Sequence, residues 1–211
     1  MFGLPTRFFP SFLALALIGL SAALLLSGLD QLTRDRIALA EDRRALAALT
    51  GLLGSMEFDN EPARDWIELP ITGLDEPARI HRARLEDEPV ALLVDLTTPR
   101  GYSGDIRLLI AADPDGMVLG VRVLEHRETP GLGDRIERER SDWIEQFDGR
   151  SLGDPPAEAW APDRRGGDFD TMTNATITAS AVIEATRRAL ETIEATGERI
   201  WREPVESAEH D

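Results

Sequence analysis

The feature that most constrains the fold of this chain is a stretch without charged residues from Phe8 to Leu29. As an α-helix the stretch would be roughly 33 Å long, which is enough to cross the hydrocarbon core of a bilayer. A cleaved signal peptide would have a shorter apolar region with a small-x-small site directly after it. The possible site at Ala38-Leu39-Ala40 instead lies beyond Arg34 and Arg36. We therefore predict an uncleaved transmembrane helix within an amino-terminal anchor of residues 1–33.

A helical pattern continues beyond this anchor. From Asp30 to Leu53 apolar residues recur among Asp, Glu and Arg, and Gly51 and Gly54 mark the end of the pattern. We predict a stalk helix within residues 34–60, with a helix that faces a partner protein as the alternative. Charge does not decide the orientation in the membrane, because few arginines flank the span and acidic residues count little.

Residues 61–211 contain several short apolar runs separated by turn residues. Charged residues interleave with apolar ones in Ile80–Leu85, which is typical of an edge strand, whereas Pro89–Leu96 is more apolar and indicates a buried strand. Ile106–Ala111 and Met117–Leu124 flank the turn sequence Asp-Pro-Asp-Gly and are predicted to form a β-hairpin. With the helix near the carboxyl end, these strands predict an α+β fold, a mixed domain with an antiparallel sheet.

The loop that follows the hairpin contains Pro130, Gly131 and Gly133, which disfavour a helix. Its glycines either form a tight structural turn or let backbone N–H groups approach a ligand. His126 and Glu128 could suggest a metal site or an acid–base pair. No further ligand lies at helical or hairpin spacing, so we predict no metal site here.

Two more segments lead to the carboxy-terminal helix. Glu139–Phe147 is predicted to be a short helix around Trp143, and Ser151–Gly167 is predicted to be a surface loop anchored by Trp160. Neither a P-loop nor a Gly-x-Gly-x-x-Gly dinucleotide fingerprint occurs in the sequence.

Composition excludes several classes of function. With 39 acidic and 23 basic residues the net charge is -16, so nucleic acid is not an expected partner. The chain has no cysteine, which excludes disulfides, thiolate metal sites and iron–sulfur ligation by this chain.

Hydroxyl side chains are concentrated just ahead of an amphipathic pattern that runs from Val182 to Ile193. They are Thr171, Thr173, Thr176, Thr178 and Ser180. They lie before or in the first turn of the predicted helix, where free N–H groups and the helix dipole favour an anion such as phosphate. A plain N-cap with additional threonines explains the same pattern, because Ser and Thr are common caps.

The nine residues from Asp170 to Thr178 resemble the flavinylation motif Asp-x-x-Ser/Thr-Gly-Ala-Thr-x-Thr/Ser of membrane electron-transport proteins. In that family the threonine after the alanine carries FMN through a phosphoester bond, and that position here is Thr176. One residue departs from the motif, because Asn174 stands where the family has glycine. Glycine there suggests either a positive φ angle or a position too tight for a side chain, and Asn is among the residues that enter the positive-φ region most readily. We therefore predict positive φ at Asn174.

Three further segments, 101–107, 121–133 and 141–143, extend the resemblance in the same order. The chain is identified by these matches as a member of the G-type family of proteins from Rnf/Rsx ion-translocating electron-transport complexes. The resemblance implies a flavoprotein that carries electrons through covalent FMN within a ferredoxin:NAD oxidoreductase, rather than an enzyme acting alone. Implied partners are the other proteins of the complex, a flavin transferase that uses FAD and Mg²⁺, and the lipid bilayer. The implied location is the bacterial inner membrane, with one crossing and the FMN-binding domain, residues 61–211, on the periplasmic side.

The resemblance also implies roles for individual residues. The implied cofactor-binding set is Thr176, Asp170, Thr173, Asn174, Ala175, Thr178, Glu128, Thr129 and the backbone at Leu132. Asp170, Thr173 and Ala175 would be read by the transferase or would shape the turn, and Thr173 and Thr178 are the alternative attachment positions. Two other identities stay open: the FMN-carrying component of a sodium-translocating NADH:quinone reductase, which shares the threonine motif, and an anchored scaffold module without redox activity.

Overall fold

The computed structural model describes residues 16–17, 19–20, 47–48, 50–54 and 56–204. Contacts divide the chain into two compact units, Met1–Arg44 and Ala45–Asp211, and the features below belong to the second. The predicted anchor over Phe8–Leu29 and most of the predicted stalk lie outside the described residues. Within the part of the chain that is described, no helix is long and apolar enough to span a bilayer.

The second unit is built on a five-stranded antiparallel sheet, so the predicted α+β class with an antiparallel sheet is confirmed. Its strands are β1 (Trp66–Leu69), β2 (Ala78–Leu85), β3 (Glu88–Thr98), β4 (Ile106–Ala112) and β5 (Val118–His126). They lie side by side in chain order, and β4 and β5 form the predicted hairpin. The prediction of an edge strand at Ile80–Leu85 is wrong, because β1 and β3 pair with β2 on its two sides.

The misassigned strand carries a buried cation. Arg82 is almost fully buried, and its guanidinium binds Asp65 together with the backbone carbonyl oxygens of Ile200 (2.9 Å) and Glu203 (2.7 Å). A charged side chain in a strand is usually exposed to solvent, whereas Arg82 is buried and forms a tertiary ion pair.

One long helix covers one face of the sheet. Helix α1 spans Thr176–Thr196, and a short helix α2 spans Arg199–Arg202. The buried stripe of α1 includes Val182, Ile183 and Leu190, which join strand residues in the larger hydrophobic cluster. Burial of such side chains contributes about 1.5–3 kcal/mol each, so this layer holds α1 firmly in place.

The opposite face of the sheet is also apolar. Leu52 and Leu53, which are helical, pack with Ala83, Leu93 and Leu109 in a second cluster. Central strands are therefore buried on both faces, and this explains why β3 and β4 are nearly continuous apolar runs.

The segments between β5 and α1 form loops and short 3₁₀ helices at Gly133–Ile136, Asp142–Phe147, Ala157–Ala159 and Asp163–Arg165. The first of these helices contacts α1, and the second contacts β5. The helix predicted at Glu139–Phe147 is thus shorter and of the 3₁₀ type. Trp160 anchors its loop as predicted: its ring stacks on Phe147 and packs against Phe169, and its indole N–H donates to two backbone carbonyls. This aromatic cluster fixes the loops that surround the site.

Candidate functional site

A cleft of about 580 Å³ opens at the amino-terminal end of α1. Its lining residues are Tyr102, Glu128, Thr129, Leu132, Gly133, Arg164, Asn174, Ala175, Thr176, Ile177 and Thr178. They come from the loop after β3, the loop after β5, the loop before the threonine stretch, and the first turn of α1. The volume is within the range of small-molecule and cofactor sites.

The first turn of α1 carries backbone donors without acceptors. Ala175 is the N-cap and makes no side-chain cap, and the first bond of the helix runs from the Ala179 N–H to the Ala175 carbonyl. Among the described residues nothing accepts from the N–H groups of Thr176, Ile177 and Thr178. The interpretation of the threonines as a plain cap is therefore wrong. Such a helix start favours an anion, because free N–H groups and the helix dipole point outward.

The turn before α1 has the predicted backbone. Asn174 has a φ angle of 64°, and the Ala175 N–H donates to the Met172 carbonyl at 3.1 Å. Positive φ at the third position of a four-residue turn normally requires glycine or asparagine. The prediction of positive φ at Asn174 is confirmed.

The four threonines of the stretch have different surroundings. Thr178 is 1% exposed and donates to Glu128, and Thr171 donates to Asp163. Thr173 is exposed and does not line the cleft. Thr176 is half-buried and lines the cleft, and among the described residues its hydroxyl has no hydrogen-bond partner. Of these four threonines, Thr176 is the one that lines the cleft and has a hydroxyl without a partner among the described residues.

Glu128 forms the floor of the cleft. It is 4% exposed, and its two carboxylate oxygens accept from the Ser103 N–H at 3.0 Å and from the Thr178 hydroxyl at 2.5 Å. A Cβ atom on Gly133 would lie 2.8 Å from Glu128 Oε2, and one on Gly101 would lie 2.7 Å from Oε1. Both glycines therefore allow the backbone to approach Glu128, and Gly133 also lines the cleft.

The neighbouring His126 supports the same loop. Its Nδ1 accepts from the Glu128 N–H at 3.0 Å, so Nε2 carries the proton and donates to Glu137 at 2.8 Å. Both ring nitrogens are used in this way, and the histidine positions the backbone. No group of three or more metal-binding side chains is found among the residues that the structure describes.

The remaining residues of the implied set lie at different depths. Thr129 and Leu132 line the cleft, but the Leu132 N–H already donates to the Thr129 carbonyl, so its side chain and not this N–H is available. Asp170 is exposed and outside the lining, and its main chain is held by Gln146 and Trp143. The structure thus brings seven implied residues together at the cleft and leaves Asp170 and Thr173 at the surface beside it.

Sequence reasoning missed three residues of the cleft. Tyr102 and Ile177 are 68% and 53% exposed, and with Leu132 they place apolar surface around the opening. The third is Arg164, the one cation among the lining residues that the structure describes. Paired arginines directly before the threonine stretch of an acidic chain are the signal that could have identified it.

Comparison with known proteins identifies the class of this domain: residues 101–191 match the family described as "FMN-binding domain". The G subunit of the ion-translocating oxidoreductase complex from Pseudomonas aeruginosa is 41% identical over 94% of each chain. The protein of the same name from Escherichia coli is 40% identical over 84% of this chain and 86% of the relative. The one from Stutzerimonas stutzeri is 44% identical over 85% of this chain and 78% of the relative. The chain belongs to this family of G subunits of ion-translocating oxidoreductase complexes.

Proposed function

We propose that this chain is an electron-carrying flavoprotein whose FMN is joined to Thr176 by a phosphoester bond. The observation that carries the proposal is the position of the Thr176 hydroxyl, which is unused and faces the cleft beside three free backbone N–H groups. The FMN-binding family match and the relatives from ion-translocating complexes support the cofactor and the kind of complex.

The residues of the cleft fit such a cofactor. The helix start offers N–H donors to a phosphate, and Tyr102, Leu132 and Ile177 offer apolar surface to a flat ring system. When bound, FMN supplies one- and two-electron chemistry, and the protein sets its position and surroundings. Glu128 keeps Thr178 turned inward, which leaves Thr176 as the threonine of the first turn whose hydroxyl is accessible from the cleft.

Attachment requires a separate transferase with FAD as donor. The Thr176 oxygen would form a bond to the phosphorus on the FMN side of FAD, the pyrophosphate bond would break, AMP would leave, and the hydroxyl proton would be released. Asp170 and Thr173 are exposed next to the cleft, where that enzyme can reach them. We assign to these two residues recognition by the transferase and not contact with the bound flavin.

The wider setting is proposed from the family and from the sequence. We place the chain in a ferredoxin:NAD oxidoreductase of the inner membrane, with one crossing at Phe8–Leu29 and the domain of residues 61–211 in the periplasm. Protease added to intact spheroplasts should digest this domain. Protection until the cells are lysed would reverse the orientation.

A denaturing gel of the chain, made with and without a flavin transferase, tests the proposal. We expect a fluorescent band under ultraviolet light only when the transferase is present, because a covalent flavin survives denaturation. A band that stays dark with an active transferase would instead support a scaffold without redox activity.

A further inference from the structure

Arg164 brings a positive charge to the lining of the cleft. It is the single cationic side chain among the described lining residues, and Glu128 is the single anionic one. No described carboxylate lies within ion-pair distance of the Arg164 guanidinium, although Asp163 is its neighbour in the chain. A guanidinium that lines a cleft outside ion-pair distance of the described carboxylates is available for an anionic ligand.

The loop around Arg164 is held in place by Asp163. The Asp163 carboxylate accepts from the Thr171 hydroxyl and from the Arg164 N–H, each at 2.7 Å, and the Asp163 N–H donates to the Phe169 carbonyl at 2.7 Å. The hydrogen bond from Thr171, followed by that from the Arg164 N–H, lowers the pKa of Asp163. The Asp163 carboxylate is thus occupied by these donors, and the Arg164 guanidinium attracts it electrostatically without forming an ion pair with it.

The backbone of the same loop is constrained as well. Gly166 has a φ angle of 83°, and a Cβ atom on Gly167 would lie 1.9 Å from the Ala161 carbonyl oxygen. The aromatic cluster of Phe147, Trp160 and Phe169 supports the loop from below. The loop therefore presents Arg164 to the cleft from a fixed base.

We propose that Arg164 is a positioning residue that pairs with the phosphate of the flavin at Thr176. The inference rests on the proposed function. A phosphate at the start of α1 shares the cleft with the Glu128 carboxylate, and two anions in one partly buried cleft repel each other. The positive charge of the Arg164 guanidinium would offset that repulsion. The guanidinium would also offer two parallel N–H donors to the phosphate, in addition to the N–H groups of the helix start.

Arg165 provides a matched control. It is the next residue in the same 3₁₀ helix, is exposed, and does not line the cleft. Both substitutions, Arg164→Gln and Arg165→Gln, remove one positive charge from the same loop. A difference between them therefore reports position and not net charge.

The test uses the full chain in detergent, produced without a transferase and titrated with free FMN and with riboflavin. We expect Arg164→Gln to weaken FMN binding about fivefold or more and to leave riboflavin binding unchanged, because riboflavin has no phosphate. Arg165→Gln should change neither, and Arg164→Lys should restore much of the FMN affinity.

Two results would overturn the inference. One is equal FMN affinity in Arg164→Gln and Arg165→Gln, and the other is an equal loss of FMN and riboflavin affinity in Arg164→Gln. Both would leave the proposed function intact, because covalent loading of Thr176 is measured separately. Absence of flavin binding in every form, together with absence of the covalent adduct from the wild type, would overturn both proposals.

Discussion

The Thr178 hydroxyl donates to Glu128 Oε2 at 2.5 Å and joins two residues that are 50 positions apart. Glu128 is buried, and its other bond comes from the Ser103 N–H. This contact attaches the loop after β5 to the first turn of α1 and orients the turn so that Thr176 faces the cleft.

Removal of this hydroxyl should destabilise the domain. Thr178→Val leaves the buried Glu128 carboxylate with one donor fewer, which costs about 1–3 kcal/mol of unfolding free energy. Thr178→Ser keeps the hydroxyl and should cost clearly less. Urea unfolding of the three proteins measures the difference, and equal stability of the Val and Ser variants would show that the bond contributes nothing.

The positive φ angle at Asn174 leads to a second prediction, on which residues this turn tolerates. Asn174→Gly should be neutral, whereas Asn174→Val places a β-branched residue at a φ of 64° and should cost about 1–2 kcal/mol. The distorted turn would also displace Thr176, so we expect the Val variant to lose flavinylation. Intact mass after co-expression with a transferase measures it, and full loading of Asn174→Val would contradict this requirement.

Arg82 connects the sheet to the carboxy-terminal end of the domain. Arg82→Met removes one of the two arginine partners of Asp65 and the donor to two backbone carbonyls, and breaking a buried pair in this way should cost about 3 kcal/mol. Arg64→Met, which breaks an exposed pair with Glu61, is the control and should cost less than about 1 kcal/mol. Thermal unfolding compares the two, and equal effects would refute the structural role of Arg82.

His81 should make stability depend on pH. Burial, as the largest cause, lowers its pKa, while a hydrogen bond to the Pro62 carbonyl and the nearby Asp95 oppose this. The unfolded chain therefore binds a proton more readily, so the stabilisation is complete above the ordinary pKa of about 6.5 and is lost as pH falls below it. Wild type should lose more stability than His81→Gln between about pH 8 and about pH 5. Parallel pH profiles from denaturant unfolding would contradict this.

Hydrophobic periodicity and turn residues in the sequence were enough to predict several individual strands and the long helix. The hairpin of β4 and β5, the buried strand β3 and the long helix α1 follow from periodicity and turn residues. The missed strand β1 has four residues, too few for alternation to show. The burial of Arg82 was not predictable, because its partners at Ile200 and Glu203 are 118 and 121 residues away in the chain.

The candidate site also combines features that local sequence predicts with features that depend on tertiary packing. The motif predicted the positive φ at Asn174, because backbone conformation at a turn is encoded within a few residues, while attachment of FMN at Thr176 stays a prediction. Arg164 and Tyr102 reach the cleft only through the packing of separate loops, and no local pattern reveals that contact. The inward orientation of Thr178 likewise depends on Glu128, which belongs to another loop.

Covalent flavin on Thr176 is the central claim, and intact-mass measurement with peptide mapping tests it most directly. After co-expression with a flavin transferase, wild type should carry one FMN, added with loss of one water, on the peptide that contains Thr176. Thr176→Ala should carry none and should unfold at the same temperature as unmodified wild type, because only an unused hydroxyl and a methyl are removed. Thr173, Thr176 and Thr178 lie between Arg165 and Arg187 in one tryptic peptide, so fragment ions must locate the adduct. An FMN adduct on the Ala variant, or fragment ions that place it on Thr173 or Thr178 of the wild type, would contradict the account.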